Sequence, residues 1–283
     1  MFGFLNVCKP QGKTSHDVVA ILRRITEVKQ IGHTGTLDPF AEGVLPICIG
    51  KATRLIEYLD DDKAYVGTVL LGKSTSTYDT EGEIVNISDK KIALDDITTA
   101  LPKFRGEIQQ IPPIYSAIKV NGKKLYEYAR KGEEVKIEPR SVNIHKLEII
   151  SFDEEKQILK LYIECSKGTY IRSIAHDLGI QLGCFGHLLN LVRVKAGKFL
   201  IENSINLSEI ENIEQVRNAI INPIEYLDFP KYELNMQERK KVSHGMGFDL
   251  KTSKGKIILT TENKLFAIAN VENQVVKILK VFC

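Results

Sequence analysis

The stretch from Gly32 to Pro46, Gly-His-Thr-Gly-Thr-Leu-Asp-Pro-Phe-Ala-Glu-Gly-Val-Leu-Pro, constrains this chain more than any other. A segment so rich in Gly and Pro reads as a rigid surface loop that can bring backbone close to a ligand. Asp38 stands in it, with His33 five residues upstream. Read physically, the loop is a site built around a single carboxylate. Asp before Pro is also a common turn former, because its side chain can bond the backbone two residues on. Residue type alone favours the turn, and one His with one Asp does not make a metal site.

The elements around this loop alternate irregularly. Ser15 to about Val28 reads as a helix, opened by a capping box from Thr14 and Asp17 and striped by Val18, Val19, Leu22 and Ile25. A second helix is expected near Ala52 to Leu59, and a strand over Lys63 to Gly72 with Tyr65, Gly67, Val69 and Leu71 on one face. Leu94 to Leu101 reads as a helix, and Asn121-Gly122 as a tight turn. Residues 142–152 and 158–165 look like a hairpin. The run from Ser166 opens a helix ending near Gly183, with Thr169 as its N-cap, and Leu188 to Phe199 follows as a strand. Strands and helices without regular βαβ alternation predict an α+β catalytic domain with a mixed, mostly antiparallel sheet. Composition shifts after about Asp228, where GKIILTT, LFAIANV and VVKILKVF suggest a small β-rich module over residues 229–283. At 283 residues the chain has room for both units.

Cysteines Cys8, Cys48, Cys165, Cys184 and Cys283 form no CxxC pair and are odd in number, which argues for reduced thiols rather than a disulfide framework or a zinc site. The start, MFGFLNVCKPQGKTSHD, lacks the basic region of a signal peptide, and no apolar run approaches membrane-spanning length. A cytoplasmic protein with no membrane partner is expected. Net charge, +3, is too mild to demand a polyanion. Locally, however, IYSAIKVNGKKLYEYARKG interleaves Lys119, Lys123, Lys124, Arg130 and Lys131 with Tyr115, Tyr126 and Tyr128. Such a surface suits phosphates and unpaired bases, though a solvated helical face is an equal reading.

Four regions in order along residues 1–200 resemble the TruB family of tRNA pseudouridine synthases. They are Lys9-Pro-Gln-Gly-Lys-Thr-Ser15, the Asp38 loop, Lys63-Ala-Tyr65 with Thr77-Tyr-Asp79-Thr-Glu-Gly82, and Cys165-Ser-Lys-Gly-Thr-Tyr170-Ile-Arg172. The basic segment, about residues 105–132, resembles the family's insertion that closes over the tRNA T-arm. The resemblance implies a pseudouridine synthase fold over residues 1–228 and a PUA-like module over 229–283. It implies isomerisation of uridine 55 in the tRNA T-loop, with no cofactor and no metal. Asp38, Arg172 and Tyr65 would then be catalytic, with Arg172 pairing the carboxylate and Tyr65 packing on the uracil. His33 would fill the space left by the flipped base, and Tyr170 and Leu191 would line the nucleotide pocket. Lys123, Lys124 and Arg130 would hold the T-arm backbone. Lys9 receives no catalytic role. No protein partner is required and a monomer is expected. In one place the chain departs from the family: Ser76 stands where an acid is common, which puts in doubt any role of that segment in ordering the site.

Three rivals remain at this point. One is a guide-dependent relative inside an RNA–protein particle, which the short C-terminal module and long insertion disfavour. Another is a non-catalytic RNA chaperone using the same surface. A glycosidase-like hydrolase ranks last, since such enzymes usually need two carboxylates.

Overall fold

A computed structural model describes residues 1–252 and 254–282. Seven main strands make the central sheet: β1 (Gly3–Lys9), β2 (Glu42–Ile49), β3 (Lys63–Leu71), β4 (Gly106–Gln110), β5 (Arg140–Asp153), β6 (Ile158–Cys165) and β7 (Gly186–Ala196). Their order across the sheet is β1-β2-β7-β3-β6-β5-β4. Every neighbouring pair is antiparallel except β2 with β7. The mixed, mostly antiparallel α+β architecture expected from the sequence is therefore found. Strand β7, late in the chain, lies between two early strands.

The helices are α1 (Ser15–Thr26), α2 (Leu94–Ala100), α3 (Leu125–Lys131) and α4 (Ile171–Gln181), with short ones after β7. Helix α1 starts at the expected capping box: Thr14 accepts from the Asp17 N–H, and the Asp17 carboxylate accepts from the Thr14 N–H. Its buried Val18, Val19 and Leu22 pack on Leu5, Leu45 and Ile47 of β1 and β2. Each such side chain contributes about 1.5–3 kcal/mol of transfer free energy. Helix α4 covers the other side, where Ile174 and Leu178 meet Val69, Leu71, Leu161 and Leu188. As read, Tyr65, Val69 and Leu71 face that core together.

Three expectations need correction. The segment Gly32–Pro46 is not one loop: Ile31–His33 and Glu42–Ile49 are paired strands, and only residues 34–41 form the turn between them. Tertiary pairing overrides the local breakers. Pro46 fits because its carbonyl accepts from the Thr34 N–H, 3.1 Å, while its nitrogen, carrying no hydrogen, needs no acceptor. Gly43 is required where β2 meets β7, since its φ is +105° and a Cβ there would lie 2.3 Å from the Arg193 carbonyl oxygen. The segment over Gly50–Tyr58 is a 3-10 helix. Finally, Thr169 does not cap α4; its hydroxyl donates to the Ser166 carbonyl, and Tyr170 occupies the N-cap.

Residues 231–281 carry a second, five-stranded sheet with a helix over Met236–Ser243. It has its own core around Leu259, Phe266 and Val276. Ile258, Leu265, Ile268 and Phe282 also pack with Phe4, Val44 and Phe199, so the two sheets share a hydrophobic cluster. Cys48, Cys165 and Cys184 are buried free thiols and Cys8 is half-buried; Cys283 lies outside the described residues. Among the described residues no helix is long and apolar enough to cross a membrane.

Candidate active site

A cavity of about 370 Å³ opens beside the 34–41 turn, walled by Asp38, Tyr65, Tyr170, Arg172, Leu191 and Arg193. Five of the residues singled out in the sequence thus converge from the turn, from β3, from the start of α4 and from β7. His33 does not line this cavity; it ends the strand leading into the turn, half-buried, with Nδ1 buried and unbonded. Burial holds its imidazole below the usual pKa.

The Arg172 guanidinium is 4% exposed and organises one wall. Its Nε lies 2.9 Å from Asp38 Oδ2 and its Nη1 lies 3.2 Å from Asp79 Oδ2. Nη1 also donates to the Thr77 carbonyl, 3.1 Å, and Nη2 to that of Tyr115, 2.9 Å. One cation therefore bridges two carboxylates and two carbonyls: Nη1 and Nη2 donate hydrogen bonds, while Nε meets Asp38 as an ion pair without hydrogen-bond geometry. Burial of Asp38 raises its carboxyl pKa, the Arg172 charge opposes this, and the Asp79 charge adds to it. The Asp38 side chain remains 34% exposed toward the cavity, whereas Asp79 is 2% exposed. Only the first can meet a ligand.

Asp79 answers the doubt raised by Ser76. Ser76 is exposed and its N–H donates to the Glu83 carbonyl. The segment still orders the wall: the Thr77 hydroxyl and the Glu81 N–H donate to Asp79 Oδ1, and the carboxylate then meets Arg172.

A second buried cation was not singled out in the sequence. Arg193 is 1% exposed, and its Nε donates to the Val44 carbonyl at 2.6 Å, Nη2 to Gly35 at 3.0 Å and Nη1 to Thr36 at 3.4 Å. It stands opposite Tyr65 across β7 and β3. Its sequence signal was a charged residue inside the apolar strand run LLNLVRVKA, which is rare unless it has partners. Lys9 grips the same turn from the far side, donating to the Pro10, Lys13 and Pro39 carbonyls, and burial lowers its pKa to about 8. Tyr65 is 7% exposed, and burial raises its phenol pKa while Arg193 opposes the rise.

The basic residues are arranged differently from the expectation of open aromatic platforms. Lys124 and Arg130 both lie over the Tyr126 ring, at 5.4 and 5.3 Å, and Lys123 lies over Tyr128 at 5.6 Å. The rings already carry the chain's own cations. None of Lys123, Lys124 and Arg130 lines the cavity. Among the described residues no group of three His, Cys, Asp or Glu side chains is placed to hold a metal ion.

Comparison with known proteins adds an independent line. Residues 23–171 match the model of the TruB family pseudouridylate synthase N-terminal domain, and residues 172–227 that of the tRNA pseudouridylate synthase B C-terminal domain. The second match includes β7, which lies in the middle of the central sheet, so the boundary between the two matches is not a boundary between structural units. The chain is 47% identical over 246 residues to a tRNA pseudouridine synthase B of Caldanaerobacter subterraneus subsp. tengcongensis, covering 86% of this chain and 85% of the relative. With the protein of the same description from Francisella philomiragia subsp. philomiragia it shares 41% identity over 274 residues, 94% of this chain and 90% of the relative. Among solved structures, a Cbf5-Nop10-Gar1 complex contains a chain with TM-score 0.73 and 26% identity, matched over 100% of this chain and 85% of that one. A chain of an H/ACA RNP bound to a substrate RNA containing 2'-deoxyuridine matches with TM-score 0.72 and 25% identity, over 100% and 85%.

Proposed function

The chain belongs to the TruB family of pseudouridylate synthases, and from that premise we propose that it isomerises uridine 55 in the T-loop of tRNA to pseudouridine. The observation that carries the reading is the cavity-facing Asp38 carboxylate held by buried Arg172, with Tyr65 on the adjoining wall. In the reaction the C1′–N1 bond breaks, the uracil turns, and C1′ joins C5. C5 loses a proton and N1 gains one, so the reaction needs no oxidant or co-substrate. An ionised Asp38 can add at C1′ or take the 2′ proton; both routes use the charged form. Arg172 favours that form, Tyr65 packs against the uracil, and Tyr170 and Leu191 line the nucleotide.

The base must leave a folded loop, which costs roughly a few kcal/mol. His33 fills the space left behind, and Lys123, Lys124 and Arg130 bind the T-arm backbone. The C-terminal module acts as a PUA-like contact nearer the acceptor end. A stand-alone tRNA enzyme is favoured over a guide-dependent particle by the 47% identical tRNA pseudouridine synthase B, and it would work as a monomer in the cytoplasm.

Tritium release from unmodified tRNA labelled at uridine C5 tests the reaction. Release with the wild type and none with Asp38→Asn, at tRNA affinity within a few-fold, is the expected result. Wild-type release from Asp38→Asn removes Asp38 from the mechanism. Tight binding without release from the wild type favours the chaperone reading.

A further inference from the structure

The root of the basic insertion makes four hydrogen bonds with the start of α4, and the two made by Gln110 are unusual. Gln110, the last residue of β4, is 2% exposed. Its Oε1 accepts from the Tyr170 N–H at 2.8 Å and its Nε2 donates to the Tyr170 carbonyl at 3.0 Å. The two partners fix the amide's orientation, because a main-chain N–H only donates and a carbonyl only accepts. Tyr170 is the N-cap of α4 and makes no capping bond with its own side chain, while Thr169 spends its hydroxyl on Ser166. The helix start is thus held from outside. Next along α4, Arg172 Nη2 donates to the Tyr115 carbonyl at 2.9 Å and the Ser173 hydroxyl donates to that of Ile111 at 2.8 Å. Residues 110, 111 and 115 lead directly into the insertion, residues 170 and 172 carry one wall of the cavity, and Ser173 follows them in the first turn of α4.

We propose that Gln110 is a positioning residue for the reaction: by clamping the Tyr170 backbone it sets the first turn of α4, and with it Arg172 against Asp38. The inference rests on the catalytic reading of Asp38 and Arg172. Its physical basis is that Arg172 must meet Asp38, Asp79 and Tyr115 at once, so a small rotation of the helix start breaks at least one of these bonds. Misplacement by about 1 Å is enough to cost a reaction roughly a hundredfold. The Gln110 side chain does not line the cavity, so it touches no substrate, and what its loss disturbs most is the Arg172–Asp38 geometry.

The test is single-turnover isomerisation of saturating unmodified tRNA by full-length wild type, Gln110→Ala, Gln110→Glu and Asp38→Asn, with Kd and Tm measured alongside. Gln110→Ala is expected to slow the step roughly tenfold to a hundredfold with Kd within a few-fold. Gln110→Glu supplies the readout that a structural role would not move. A protonated carboxyl can accept from and donate to Tyr170 as the amide does, whereas a carboxylate can only accept. Its rate relative to wild type, measured well below Tm where both proteins are fully folded, should therefore rise as pH falls and the carboxyl protonates; Tm relative to wild type rises as well, because a buried carboxyl gains stability on protonation. If Gln110→Ala fails to fold, this pH profile decides alone. A Gln110→Ala rate within twofold of wild type at equal Tm, or a Gln110→Glu profile parallel to wild type, overturns the proposal. Activity in Asp38→Asn overturns instead the reading beneath it.

Discussion

Two buried arginines hold the 34–41 turn, one at its start and one at Asp38, and the two are used in opposite ways. Arg172 places its charge between two carboxylates, one of them open to the cavity. Arg193, equally buried, gives its hydrogens to three main-chain carbonyls of the turn and its exit strand and has no carboxylate partner among the ion pairs of the described residues. The first arrangement couples the protein to a group whose ionisation can change. The second fixes a backbone. A cation with no carboxylate beside it keeps its positive field, and in the wall of a cavity for a polyanion that field is useful. The comparison separates chemistry from scaffolding within one site.

Substitution at the two arginines should break the comparison most visibly. Arg172→Ala is expected to lower the isomerisation rate by roughly 10²–10³-fold with a smaller loss in tRNA affinity. Equal losses in rate and affinity would reduce Arg172 to an RNA anchor. Arg193→Met leaves buried carbonyls without donors, at about 1–3 kcal/mol each, and should show first as a fall in Tm. If Arg193→Met instead leaves Tm unchanged and abolishes turnover, the two arginines do the same work.

Titration sharpens the same contrast. Asp38 has its pKa raised by burial, so the folded state binds its proton more tightly than the unfolded chain, and stability falls as pH rises through the window above the ordinary carboxylate range. Asp38→Asn should therefore match or exceed wild-type Tm at pH 7 while losing activity; a clear loss of Tm would mean that the ion pair outweighs burial. Lys9 runs the other way. Its pKa of about 8 lies below the unfolded value, so its destabilising contribution is full below pH 8 and is relieved as pH rises toward 10.5. A neutral amine has two hydrogens for three carbonyls, and wild-type turnover should decline above pH 8 while Tm attributable to Lys9, read against Lys9→Met, improves. The smallest effect is expected at the insertion. Removing charge at Lys123 and Lys124 should reduce the slope of log Kd against log salt by about one for each phosphate no longer neutralised. An unchanged slope would return these lysines to the role of covers for Tyr126 and Tyr128.

Much of the site was legible because its chemistry lies in short segments. Asp38, Tyr65, Tyr170, Arg172 and Leu191 each sit in a recognisable run, and all five border one cavity. What escaped depends on pairing across long separations. Asp79 stood in a family-like segment, but its pairing with Arg172 depends on the bridge from Asp79 to Leu188, which a local reading does not show. Arg193 looked like an ordinary strand residue until β7 was placed beside β2. The cap of α4 was misread for a similar reason: Thr169 has the right residue type, but the donor and acceptor came from Gln110, distant in sequence.

The position of β7 also sets a schedule for the nascent chain. Strands β2 and β3 leave the ribosome with an empty slot between them, and the strand that fills it ends 125 residues after β3 does, at Ala196 against Leu71. At about 5–20 residues per second that is an interval on the order of ten seconds. For most of it two apolar edges lack partners, and the arginines that hold the turn bearing Asp38, Arg172 and Arg193, are made only near its end. The half-made protein therefore has no assembled reaction centre and an open invitation to pair with a neighbour, which makes this interval the one in which a chaperone at the ribosome would matter most.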